Sequence, residues 1–156
     1  MSASNSKGAG TAFRFEDRPG AYAHYPHARR VGNLLYVSGM SCRQPDNSHA
    51  GVTLHDDGSF EADIEGQTEA LLQNMKIIVE RCGGSMNRLV DLTTFLINMD
   101  DFPGYNTVYN RWFNAESGPT RTTVAVAELP HPHLLIEMKV IACLDGSTKT
   151  TASSSS

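Results

Sequence analysis

One amphipathic stretch, residues 64–82, constrains the fold more than any other. Ile64, Thr68, Leu71, Leu72, Met75, Ile78, Val79 and Cys82 recur at helical spacing and form one stripe. Asp63 stands where an N-cap is wanted, and Gly83-Gly84 follows where a helix C-cap is wanted. A helix with one apolar stripe must bury it, so the chain needs a second layer. Neighbouring runs supply strands for it. Leu34 to Ser38 is short, apolar and β-rich, introduced by Gly32-Asn33. Leu89 to Met99 is almost unbroken apolar residues and threonine, which predicts a strand covered on both faces. A second helix is expected after Asp100 or Asp101, with Pro103 in its first turn. Tyr105, Val108, Tyr109, Trp112 and Phe113 form its inner face, and Gly118-Pro119 closes it.

The next segment carries the chemistry. Thr120 to Ala127 is β-branched or small, and Leu134 to Ala142 is apolar except for Glu137 and Lys139. The residues between, 128–133, hold two prolines, which suits a connection. The two runs thus read as a hairpin. Arg121 heads the first and Glu137 sits inside the second. A carboxylate among Leu135, Ile136 and Met138 is costly to bury unless something pairs or uses it. A guanidinium grips a carboxylate with a planar fork. Together they suggest a pocket for a small acid, with proton chemistry beside it. The plainer alternative is a solvent-facing Glu137 on an edge strand and a surface Arg121. Strand parity does not decide between them, because a one-residue slip in the connection reverses the facing.

With room for one more strand within Phe13 to Tyr25, the order β, α, β, α, β, β predicts an α+β protein, a mixed sheet with two helices on one face. Composition places the folded domain at residues 12–145, one domain in a chain of 156 residues. Residues 1–11 (mostly Ser, Gly and Ala, with one lysine) and 146–156 (almost all Ser and Thr) read as unstructured tails. Ser41 to Phe60, rich in Asp, Gly, Ser, Asn and Pro, reads as an irregular excursion. Net charge is −4, and no basic run interleaved with aromatics is visible, which argues against nucleic acid or anionic membrane as partner. No long apolar run or export leader is present, and three cysteines without a CxxC fit a reducing compartment. The expected location is the cytoplasm.

Taken in order, Tyr25, the VGNLLYVSG strand, the long helix, the strand ending in Asn-Met-Asp-Asp-Phe, the Asn106-x-x-Tyr109 helix, TRTTVAVAELP and IEMKVIA resemble the Rid family of enamine and imine deaminases, the RidA or YjgF-like proteins. The resemblance covers residues 21–142. It implies a chorismate-mutase-like fold and a homotrimer with active clefts between subunits. An apolar sheet face left open by the helices agrees with such self-association. The segments AHYPHARR (23–30) and LPHPHLL (129–135) are most similar to the 2-aminomuconate deaminase branch.

By this resemblance Arg121 binds the substrate carboxylate and Glu137 positions the hydrolytic water. Tyr25 and Ser38 line the cleft, and Asn106 sits near the subunit junction. The position two after the arginine is often cysteine in the family and is Thr123 here, which preserves a main-chain contact only. The connection before Glu137 is one residue longer than is typical.

The implied activity is a cofactor-independent, metal-independent hydrolysis of a C–N bond: 2-aminomuconate to 4-oxalocrotonate and ammonia, in aromatic amine or tryptophan catabolism. A general 2-imino acid deaminase and a non-catalytic acid-binding regulatory trimer are the alternatives. A dicarboxylate needs a second cation, for which His27, Arg29, Arg30, Arg43, His131 and His133 are candidates. His24, His27, His131 and His133 raise the question of zinc, without an accompanying Cys, Asp or Glu at ligand spacing. Lys139 is a weaker candidate for Schiff-base chemistry.

Overall fold

The structure, a computed structural model, describes residues 2–4 and 8–144. Nine strands and two α-helices appear in the order β1 (Ser2–Ser4), β2 (Thr11–Arg14), β3 (Ala28–Val31), β4 (Leu34–Met40), β5 (Val52–Leu54), β6 (Phe60–Ala62), α1 (Ile64–Arg81), β7 (Leu89–Leu96), α2 (Phe102–Trp112), β8 (Thr120–Ala125) and β9 (Ile136–Cys143). Seven strands form one mixed sheet in the order β1-β2-β3-β4-β9-β7-β8, and β5 and β6 form a separate hairpin.

The helix stripe does what its spacing demands. Leu71, Leu72, Met75, Ile78 and Val79 pack with Tyr105 and Val108 of α2 over Leu35, Val37, Leu92, Leu96, Ile136, Met138 and Val140 of the sheet, as one buried cluster. Both helices therefore cover the same sheet face, as expected of the α+β arrangement. Asp63 caps α1, accepting from the backbone N–H groups of Glu65 and Gly66. Gly83, at φ +91°, ends it. Besides Thr68, the buried side of α1 hides two larger polar residues. Gln67 (0 % exposed) and Asn74 (5 %) lie on the buried side, and both satisfy loop backbone. Gln67 donates to the His133 carbonyl at 2.7 Å and accepts from the Leu135 N–H at 2.9 Å.

Several expectations need correction. The runs at 120–127 and 134–142 are not a hairpin. The β7 strand lies between them, antiparallel to β9 and parallel to β8. The parallel pair is reached through the α2 crossover, which sequence adjacency does not announce. Consequently β9 is an interior strand, and Glu137 is not on a sheet edge. The Leu89–Met99 strand is covered on one face only within the chain: Leu92, Thr94 and Leu96 are buried, while Val90 is exposed and Thr93 and Phe95 are half-buried. It ends at Leu96, and Met99–Asp101 form a 3-10 turn capped by the Asn98 side chain. Asp101 occupies the N-cap position of α2 without a side-chain cap bond. The 11–31 region contributes two strands, β2 and β3. The excursion 41–60 contributes to the β5–β6 hairpin, and the N-terminal segment read as a tail includes β1, paired with β2. The C-terminal tail lies outside the described residues. Among the described residues, no helix is long and apolar enough to cross a membrane.

Candidate functional site

Strand pairing now decides the facing that parity left open. Arg121 pairs with Leu92 and Thr123 with Thr94, so both belong to the face that the helices cover. Glu137 pairs with Phe95, between buried Ile136 and buried Met138. Its side chain therefore leaves the opposite face. Within one chain, Arg121 and Glu137 stand on opposite sides of the sheet.

On the helix side, the Arg121 guanidinium donates through Nη1 to Asn106 Oδ1 at 2.8 Å. Its Cζ lies 5.6, 5.1 and 4.6 Å from the ring centroids of Phe102, Tyr105 and Tyr109. All four partners project from α2, and Tyr105 is itself held by a 2.8 Å hydrogen bond with Thr94 Oγ1. The rings restrain a cation without neutralising it, and Asn106 fixes the plane of the fork. No carboxylate among the described residues forms an ion pair with Arg121. Such a group is poised for an outside anion. The Thr123 hydroxyl oxygen is buried beside it without a hydrogen-bond partner.

Glu137 opens into a cleft of about 550 Å³ bounded by the 18–29 segment, β4, the connection leading into β9, and Asn74 and Ile78 of α1. Glu137, Tyr25, Ser38, His27 and Arg29 all line it. Ser38 is held in place, donating from Oγ to the Pro26 carbonyl at 2.7 Å and from its backbone N–H to the His27 carbonyl at 3.0 Å. Just beyond it, the β4–β9 register shifts between Val37 and Met40, and Gly39 lies against the Glu137 carboxyl. Burial holds that carboxyl above its ordinary range. The Arg121 charge that could have opposed this lies across the sheet.

The sequence candidates therefore separate into two groups. Arg121, Asn106 and Thr123 form one, and Glu137, Tyr25, Ser38, His27 and Arg29 the other. Both ring nitrogens of His27 are engaged within the chain: Nδ1 accepts from the Phe15 N–H at 3.2 Å, which leaves Nε2–H to donate to the Pro19 carbonyl at 3.0 Å. Arg30 bonds the Gly32 carbonyl away from the cleft. Lys139 is exposed at the cleft wall. Two residues that sequence reasoning passed over, Arg18 and Asn74, also line the cleft. The clue to Asn74 was a polar residue on an apolar helix stripe. The expectation of no basic, aromatic-interleaved surface holds along the chain but not in space, since Arg18, Arg29, Arg43 and Lys139 meet Tyr22, Tyr25 and Tyr36 here.

The histidines regroup as well. His131 and His133 meet His49, with their ligand nitrogens within 4.8 Å of one another, while His24 and His27 belong elsewhere. His131 stacks on His49 at 4.2 Å, and its Nδ1 accepts from the His133 N–H. The stack, at 27°, keeps the in-plane lone pairs of His49 and His131 in nearly parallel planes, and the His133 N–H already occupies His131 Nδ1. Burial and the proximity of the other imidazoles depress the His49 and His131 pKa values. Burial pushes the Cys42 and Cys82 thiols up to about 11, which leaves neither a thiolate at neutral pH.

Comparison with known proteins agrees with the geometry. Residues 15–144 match the family model described as Endoribonuclease L-PSP. Protein HMF1 of Saccharomyces cerevisiae is 36 % identical over 115 residues, 74 % of this chain and 81 % of that protein. The 2-iminobutanoate/2-iminopropanoate deaminase of Dermatophagoides farinae is 33 % identical over 106 residues, 68 % of this chain and 75 % of its own. The crystal structure of yeast YEO7 superposes with a TM-score of 0.75 at 34 % identity, covering 86 % of this chain and 98 % of that one. The chain therefore belongs to the L-PSP family, the Rid/YjgF-type proteins.

Proposed function

We propose that this chain is a cofactor-independent deaminase that hydrolyses 2-imino and 2-enamino acids to 2-oxo acids and ammonia, working as a homotrimer whose clefts form between copies. The observation that carries the reading is the separation of Arg121 from Glu137. Each face holds half of a carboxylate-binding, proton-transferring site, and neither half is complete alone. Juxtaposing the Arg121 face of one copy with the Glu137 cleft of another completes it, and closes the sheet face that the helices leave open.

The chemistry follows from the groups. Arg121 of one copy holds the substrate carboxylate bidentately, with its plane set by Asn106. An enamine takes a proton at carbon and becomes the iminium. Glu137 of the neighbouring copy accepts a proton from water, whose oxygen attacks C2. The resulting carbinolamine receives that proton at nitrogen, the C–N bond breaks as the C=O forms, and the hydroxyl proton passes to Glu137 while ammonia leaves. A base with a raised pKa suits both halves of this relay, since it must accept and then return the proton. Tyr25 and the carbonyl of Thr123 orient the substrate, and positioning supplies most of the acceleration. The cleft volume falls in the small-molecule range of about 300–1,000 Å³. 2-Aminomuconate, substrate of the branch that the two distinctive segments resemble, belongs to this class, as does 2-iminopropanoate. The relative named as a deaminase favours the broader class.

A mixing experiment tests the shared site. Arg121→Ala and Glu137→Gln chains are unfolded and refolded together, and 2-oxo acid formation is followed from an imine generated in situ. Each variant alone is inactive, whereas random mixed trimers regain about one quarter of wild-type sites. No recovery in verified mixed oligomers overturns the shared cleft, and a wild-type protein inert toward imines and enamines overturns the activity.

A further inference from the structure

The walls of the Glu137 cleft carry four cationic side chains, Arg18, Arg29, Arg43 and Lys139, against one carboxyl. This is unusual in a chain of net charge −4. Two of the four are built into place. Arg18 donates from Nη2 to Asn74 Oδ1 at 2.8 Å. The same Asn74 amide donates to the Ser41 and Arg43 carbonyls at 3.0 and 2.9 Å, so one buried helix residue anchors both arginine segments. Arg43 is fixed further by Asn47 Oδ1 (2.6 Å from Nη2 and 3.1 Å from Nε) and by the Gly20 carbonyl, and it stacks over Tyr22 at 4.4 Å.

Neither guanidinium forms an ion pair among the described residues. Holding long cationic side chains in one geometry costs rotamer entropy, and the buried Asn74 amide offsets part of that cost here. The two guanidinium groups do not neutralise Glu137, whose pKa responds to burial alone. The pair is preorganised for an anion that arrives with the ligand.

We infer that Arg18 and Arg43, held by Asn74, form a second carboxylate clamp in the cleft and select dicarboxylic 2-imino or 2-enamino acids over monocarboxylic ones. The inference rests on the deaminase reading for its reaction and on this geometry for its specificity. The Arg121 fork takes the carboxylate next to the reacting carbon, and the Arg18–Arg43 pair takes the distal one. Two clamps on a conjugated chain also hold it extended, with C2 near Glu137.

The experiment compares the imines of glutamate and alanine, generated in situ by an amino acid oxidase, with wild type, Arg18→Met, Arg43→Met and Asn74→Leu. The readout is the ratio of kcat/KM for the two imines. Wild type favours the dicarboxylate, and each arginine variant lowers that ratio by about tenfold or more, as expected for loss of a charge-assisted contact. Asn74→Leu lowers it less, because it frees Arg18 without removing it. An unchanged ratio in both arginine variants overturns the inference. Calorimetric binding of glutarate against propionate to the same proteins separates specificity from chemistry. If wild type hydrolyses neither imine yet binds glutarate through Arg18 and Arg43, the clamp stands and the deaminase reading fails. If glutarate binding ignores both arginines, the clamp fails whatever the activity.

Discussion

Gly39 lies against the carboxyl of Glu137, so that a methyl group added at position 39 would run into Oε1. Its φ is not positive, so contact and not backbone conformation sets the requirement. Gly39→Ala should therefore fold almost normally but push the carboxyl from its water-orienting position. A fall in kcat of about tenfold or more is expected, since displacements near 1 Å are that costly at a reacting centre. Steady-state kinetics beside a thermal melt check both halves of this statement.

Replacing Arg121 by lysine keeps the charge but loses the fork that Asn106 aligns. The expected loss in kcat/KM is about one to two decades, with the melting temperature nearly unchanged. Near-normal kinetics in Arg121→Lys would remove the clamp role.

Glu137 makes opposite demands on pH. As a base it works only when deprotonated, so kcat should rise through its raised pKa. As a buried group it stabilises the fold most below the unfolded value of about 4.3, and that contribution is lost as pH rises through the folded value. Activity and this part of stability thus move in opposite directions over one interval. Glu137→Gln should lower kcat by about two to four decades, remove both pH effects and leave dicarboxylate affinity within about tenfold of wild type, because Arg121 still binds. A nearly unchanged kcat would show that Glu137 is not the base.

Gln67→Leu fills the same space but strands the Leu135 N–H and the His133 carbonyl. A loss of about 1–3 kcal/mol is expected from chemical denaturation. Faster amide exchange at Leu135 would locate the damage in the connection entering β9.

What was legible in the sequence was local. The spacing from Ile64 to Cys82 identified α1 and its buried side, and Asp63 and Gly83 marked its ends. The resemblance singled out Arg121 and Asn106 separately; the hydrogen bond between them is a relation it did not give. Asp57-Gly58 was a hairpin signal hidden in a polar segment, and the structure places it between β5 and β6. Long-range relations were not legible. Nothing in Thr120–Cys143 says that β7 enters between β8 and β9, because strand order is settled by the crossover through α2 and not by neighbouring residues. The facing of Arg121 followed from that order. Arg18 and Asn74 escaped for the same reason, being 56 positions apart yet hydrogen-bonded.

The β9 strand sends Ile136, Met138 and Val140 into the core and Glu137, Lys139 and Ile141 to the other face. Its side chains alternate strictly, so deleting one residue within the strand would exchange the two sets, driving a carboxylate into the apolar layer and methionine into the cleft. A length change is tolerated only where the strand's phase is insulated from it. The connection through His131 and His133, tied down by Gln67, is such a place. It acts as an expansion joint, so that a residue gained or lost in the loop leaves the reading frame of β9 against its neighbours unchanged.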